Sequence, residues 1–133
     1  MKIKLDKDTI YEGPATVNID ELDWGYSIYI NMPKQEYKIW RYKTKEYAEM
    51  VFTNINNKIN TGRTVDMTQY DERYYYIRQL EIHKGLLRDI LTKPSEDGTY
   101  ITIDRSQWID FQEKKINEFK EILKKEFGYD RSL

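Results

Sequence analysis

The sequence predicts a single-domain α+β fold over residues 1–133, with a small antiparallel N-terminal sheet packed by about three helices, the last one long and C-terminal. Three observations lead to this prediction. The segments Tyr26–Asn31 and Tyr37–Tyr42 alternate apolar and polar residues with the period of two that is typical of strands. Thr44–Gly62 has the spacing of an amphipathic helix, and a second long apolar stripe runs from Trp108 to Phe127.

The sheet is predicted as a hairpin or meander. Lys2–Leu5 and Ala15–Ile19 read as short strands, because charged or polar residues alternate with apolar ones. Asp20–Asp23 reads as an acidic loop that Gly25 ends. The two stronger strands that follow are joined by Met32–Glu36, a connection of about five residues, so they should pair as an antiparallel hairpin.

The first helix has both of its end signals. Thr44 can act as the N-cap, and Glu46 in the first turn suits the positive end of the helix dipole. Gly62 stands where a left-handed C-terminal residue belongs. Its apolar stripe consists of Ala48, Val51, Phe52, Ile55 and Ile59.

A second helical region is predicted from Asp71 to Thr92, with Asp71 as its N-cap. Glycine inside a helix costs about 1 kcal/mol relative to alanine, so Gly85 leaves two alternatives open. The region is either one continuous helix or a helix that kinks or breaks near His83–Gly85. Lys93–Gly98 then reads as a loop.

The C-terminal part is predicted as a short strand, Tyr100–Ile103, followed by a long helix that Asp104 or Ser106 caps and Gly128 closes. One face of this helix is charged and should meet water. The other face is broad enough to cover the sheet and still leave a strip for a second subunit. It is formed by Trp108, Ile109, Phe111, Ile116, Phe119, Ile122, Leu123 and Phe127.

Composition excludes several classes of function. The chain has 0 cysteines and 1 histidine, so disulfide scaffolds and the common zinc sites are not expected. A net charge of -1 argues against strong non-specific DNA binding. No apolar run has the roughly 20 residues of a membrane helix, and the charged N-terminus lacks a secretion signal. We therefore expect a cytoplasmic protein without membrane contact and without a cofactor.

Catalytic motifs are also missing from the sequence. The 6 glycines are scattered as turns and caps, so they do not form a phosphate-binding loop. His83 lies in a helical region without a nucleophile motif, and it reads as an ordinary surface or helix-break residue. An acid–base pair suited to catalysis cannot be located, so an enzyme is not expected.

Two groups of residues are candidates for a binding site. Lys38, Trp40, Arg41 and Tyr42 interleave bases and aromatics on one strand. On an open sheet face they would stack bases, whereas on a covered sheet the aromatics would pack inside. The second group lies on the second helix, where arginine beside tyrosine is typical of protein hot spots and phosphate pockets. It consists of Arg73, Tyr75, Tyr76 and Arg78.

These observations favour a non-enzymatic binding protein that works through a protein partner, through self-association or through both. The alternative is a nucleotide or single-stranded nucleic-acid binding module that uses the basic, aromatic strand. Lysine outnumbers arginine by 15 to 7, which indicates an AT-rich coding source. Small cysteine-free chains of such composition are typical of phage or mobile-element accessory and inhibitor proteins, and that class is the hypothesis for the biological role.

Overall fold

A computed structural model describes residues 1–33, 38–92 and 105–129. It confirms the α+β class. The chain divides into two compact units, Met1–Glu72 and Arg73–Leu133. The described strands are β1 (Lys2–Lys4), β2 (Ile10–Glu12), β3 (Thr16–Leu22), β4 (Gly25–Asn31), β5 (Lys38–Tyr42) and β6 (Val65–Asp66). The described helices are α1 (Lys45–Asn60), a 3₁₀ turn (Met67–Gln69), α2 (Glu72–Thr92) and α3 (Arg105–Phe127).

The first unit contains two three-stranded sheets. One has the order β2-β1-β6, with β1 antiparallel to β2 and parallel to β6. The strand β2 was not predicted, because Ile10, Tyr11 and Glu12 do not alternate apolar with polar residues. The other sheet has the order β3-β4-β5 and is antiparallel throughout, which confirms the predicted hairpin of β4 and β5.

The acidic segment Asp20–Asp23 was expected to be a loop, and this expectation was wrong for most of it. β3 continues to Leu22, which pairs with Gly25 of β4, so only Asp23 and Trp24 form the turn. Aspartate and glutamate have low strand propensity, but pairing along the full length of β4 outweighs it.

Helix α1 begins and ends as predicted. The Thr44 side chain accepts a hydrogen bond from the Tyr47 backbone N–H at 3.4 Å, and Gly62 has a φ of +70°. Its buried residues are Tyr47, Ala48, Val51 and Ile55. The packing face thus includes Tyr47, which the predicted stripe omitted, whereas Phe52 is only half-buried. The helix contacts β3, β4, β5 and β6, so it packs against strands of both sheets.

The second unit contains α2 and α3. Helix α2 runs through Gly85 without a break, which settles the alternative left open above. The ring of Tyr76 lies 6.1 Å from that of Phe119, and the His83 side chain contacts Gln112. The later residue of α2 thus contacts the earlier residue of α3, so the two helices are antiparallel. The core between them consists of Tyr76, Leu80, Gln112, Ile116, Phe119 and Leu123.

Five predicted features lie wholly or partly outside the described residues. They are the connection Met32–Glu36, the first residue of the strand Tyr37–Tyr42, the loop Lys93–Gly98, the strand Tyr100–Ile103 and the cap Asp104. In residues 1–33, 38–92 and 105–129, none of the helices combines the length and the apolar character required to cross a bilayer.

Candidate functional site

His83 of α2 contacts two residues of α3. Its Nδ1 lies 2.6 Å from Oε1 of Gln112, and its ring lies 5.4 Å from that of Phe119. The sequence predicted an ordinary surface or helix-break residue. In the structure His83 is instead half-buried, contacts α3 and lies within an unbroken helix. Within the part of the chain that the structure describes, no three histidine, cysteine or acidic side chains lie close enough together to hold a metal ion.

The basic, aromatic strand β5 does not present its residues on one open face. Alternation along the strand places Lys38, Trp40 and Tyr42 on one side and Arg41 on the other. Lys38 is exposed and Trp40 is half-buried, whereas Tyr42 is buried. The Arg41 guanidinium lies 5.1 Å from the centre of the Trp24 ring, a cation–π distance. The nucleotide alternative stays a prediction, since the described residues of β5 do not form one stacking platform.

Tyr42 belongs to a cluster of buried tyrosines. Its ring packs edge-on against Tyr47, with centroids 5.2 Å apart. Its hydroxyl has no hydrogen-bond partner among the described residues. Burial raises the pKa of Tyr42, and the nearby Tyr70 and Glu72 raise it further. Burial also raises the pKa of Tyr47, with a smaller effect of the charge of Glu72.

Tyr70 completes this cluster. Its hydroxyl makes no hydrogen bond of standard geometry among the described residues. Burial raises its pKa, and the side chains of Gln69 and Asn54 lie near enough to offset part of that effect.

Glu72 is the residue of this region that the sequence analysis did not single out. Its side chain is buried, with one oxygen accepting from the Lys43 backbone N–H at 2.8 Å. The other oxygen accepts from the backbone N–H and the hydroxyl of Thr44, each at 2.8 Å. These three hydrogen bonds stabilise the buried negative charge of the carboxylate. All three donors belong to the segment that joins β5 to α1. Its role is therefore to hold the β5–α1 junction.

The candidate residues of α2 point in different directions. Successive helix positions turn by about 100°, so Arg73, Tyr75, Tyr76 and Arg78 are spread around the axis. Tyr76 is fully buried, and Tyr75 packs edge-on against it at 5.1 Å. The Arg73 guanidinium lies 5.2 Å from the Tyr129 ring, and Arg78 is exposed. The structure therefore does not bring these four residues together as one site.

A pair of aromatic rings is exposed instead on α3. Trp108 and Phe111 stack with centroids 5.7 Å apart and an interplanar angle of 15°. They are 40% and 44% exposed, respectively. The Lys115 ammonium lies 5.9 Å from the centre of the Phe111 ring. The predicted stripe included both aromatics, but the structure places them outside the helix core.

Ile82 and Leu86 of α2, 44% and 40% exposed, lie on the same side of the helix pair as the two aromatics. Around the axis of α2, Ile82 and Leu86 lie roughly a quarter turn from the core residues of that helix, and Trp108 and Phe111 lie a quarter turn in the same sense around α3. Because the two helices are antiparallel, these equal rotations direct both pairs to the same side of the helix pair. The contact of His83 with Gln112 places them at the same height. We call Ile82, Leu86, Trp108 and Phe111 the side patch.

The depressions on the first unit are shallow and open. One, of about 550 Å³, lies beside Phe52 on a polar face of β3 and β4 that carries Asn18, Asp20, Tyr29 and Asn31. Another, of about 610 Å³, is lined by residues of α1 only. Neither has the enclosed, largely apolar form of a small-molecule site.

Comparisons with protein-family models, with curated proteins and with solved structures found no match to this chain.

Proposed function

We propose that this protein is a non-enzymatic interaction protein of the accessory or inhibitor type, which acts through protein–protein contacts at the side patch. The observation that supports this proposal is the exposure of four large apolar side chains at one height of the α2–α3 pair. Single exposed apolar residues are ordinary on protein surfaces, whereas a contiguous group is typical of an interaction site.

The composition of the side patch also favours a contact surface. Tryptophan is enriched among residues that dominate binding energy, and stacked rings lose little conformational entropy when a partner covers them. Lys115 and Glu118 border the patch and form an ion pair at 3.5 Å. An apolar centre with a charged border is the usual anatomy of a protein interface.

The test is affinity purification with three forms of the full chain, namely wild type, Phe111→Glu and Leu91→Glu. Leu91 is 55% exposed and lies on the other flank of α2, so its substitution is the matched control. A partner held by wild type and Leu91→Glu but lost with Phe111→Glu supports the proposal. The captured protein must then bind the purified chain directly, with an affinity at least about tenfold lower for Phe111→Glu. Equal binding by all three forms would contradict it.

A further inference from the structure

We infer that the side patch packs against α3 of a second copy of the chain, with the two α3 helices in antiparallel contact. This inference rests on the proposed function and names one occupant of the same surface. It starts from the row Phe111, Lys115, Glu118 and Ile122 on α3. Steps of four, three and four residues keep this row on one side of a helix, as in the seam of a coiled coil.

The row reads the same in both directions, as apolar, charged, charged and apolar. A two-fold axis between positions 116 and 117 would place Phe111 opposite Ile122 of the second copy. It would likewise place Lys115 opposite Glu118 of the second copy, and this contact would occur twice. An isologous contact requires such self-complementarity, because the same surface must serve both sides.

The charges can reach across this contact. Within one chain the Lys115 ammonium lies 3.5 Å from a Glu118 carboxylate oxygen, and these side chains are 38% and 45% exposed. In the dimer each group keeps its neighbour and gains an opposite charge from the second copy. Opposite charges that face each other across a helix contact set the partner and orientation of the helices in this way.

The area of the side patch fits a reversible dimer. Large apolar side chains expose about 200 Å² each when free, so four that are 40–44% exposed offer about 340 Å² per copy. A standard interface buries about 800 Å² per partner, so the patch supplies about two fifths and the polar border must supply the rest. We therefore expect a monomer–dimer equilibrium in the micromolar range.

The test is sedimentation equilibrium of the full chain at several concentrations, with charge-swapped variants. Wild type should dimerise with rising concentration, and more weakly at high salt. Lys115→Glu and Glu118→Lys should each weaken dimerisation at least about tenfold, because like charges then face each other. The double variant Lys115→Glu/Glu118→Lys restores opposite charges and should recover the wild-type equilibrium. Lys124→Glu, on the other flank of α3, is the control and should leave it unchanged.

Circular dichroism should show the same helix content in every variant, so that a loss of pairing is not a loss of fold. A chain that is monomeric at all concentrations would overturn the inference, and so would a double variant that fails to recover. A dimer that both single variants leave intact would place the interface elsewhere. If the chain is monomeric but Phe111→Glu still abolishes binding of a different protein, the inference fails and the proposed function stands. If Phe111→Glu changes neither dimerisation nor partner binding, both fail.

Discussion

The carboxylate of Glu72 binds Thr44 twice, through the backbone N–H and through the hydroxyl, although 28 residues separate them in the chain. Thr44 is also the N-cap of α1, where its hydroxyl oxygen accepts from the Tyr47 backbone N–H. One threonine side chain therefore donates to Glu72 and caps the helix at the same time. When the Thr44 hydroxyl donates its proton to Glu72, the lone pairs of the hydroxyl oxygen remain available to the N–H groups in the first turn of α1.

Glu72→Gln should destabilise the first unit. An amide supplies only one accepting oxygen, so at least one of the three donors on Lys43 and Thr44 loses its acceptor, and we expect a loss of about 2 kcal/mol. Glu46→Gln, an exposed change in the first turn of α1, should cost about 0.5 kcal/mol or less. Urea denaturation monitored by circular dichroism measures both changes. Equal stability of the two variants would argue against the buried carboxylate as a structural clamp.

Gly25→Ala should be much more damaging than Gly62→Ala. A Cβ at Gly25, where φ is +150°, would lie 2.6 Å from the Tyr42 carbonyl oxygen, so β4 could not keep its distance from β5. We expect a loss of about 3 kcal/mol or more. Gly62 has a φ of +70° and open space around it, so its alanine variant carries only backbone strain of about 1 kcal/mol. The thermal midpoints of the two variants give the comparison, and similar values would contradict the close approach at Gly25.

Tyr42→Phe and Tyr11→Phe should change stability in opposite directions. The Tyr11 hydroxyl donates to the Pro14 carbonyl oxygen at 2.7 Å, so its removal should cost about 1 kcal/mol. The Tyr42 hydroxyl is buried without a partner among the described residues, so its removal should be neutral or stabilise the fold by up to about 1 kcal/mol. Denaturation midpoints at neutral pH decide the point. A clear loss of stability in Tyr42→Phe would mean that its hydroxyl is satisfied.

The tyrosine cluster should make the first unit sensitive to alkali. Burial raises the pKa of Tyr42, Tyr47 and Tyr70 above the ordinary value of 10.0, so the folded state holds these protons more tightly than the unfolded state. Their contribution is fully present below about pH 10 and is lost as the pH rises from there towards the folded-state pKa. The unfolding free energy from urea titrations at increasing pH should therefore fall above about pH 10. Tyr42→Phe should reduce the slope, and an unchanged slope would exclude Tyr42 as a source.

Much of the fold follows from local patterns in the sequence. Thr44 and Gly62 set the ends of α1 because capping depends on residues within one turn. The alternation in Tyr26–Asn31 was sufficient to predict β4, and the apolar spacing up to Phe127 was sufficient to predict α3. The α+β class rests on these elements, whose signals lie within short windows of sequence. The strand β2 was missed and the end of β3 was misplaced, because both depend on pairing with other strands.

The candidate site depended on the tertiary structure. Sequence composition selected Tyr42 and Tyr76 as contact residues, but both are buried because other elements cover them. Glu72 lies in the first turn of a helix, a common place for an acid, and only the folded chain shows that it meets Thr44. Trp108 and Phe111 belonged to an apolar stripe wider than one helix can cover, and packing decided which part stayed exposed. Local capping and periodicity were determined by the sequence itself, whereas burial depends on residues distant along the chain, so only the tertiary structure decided it.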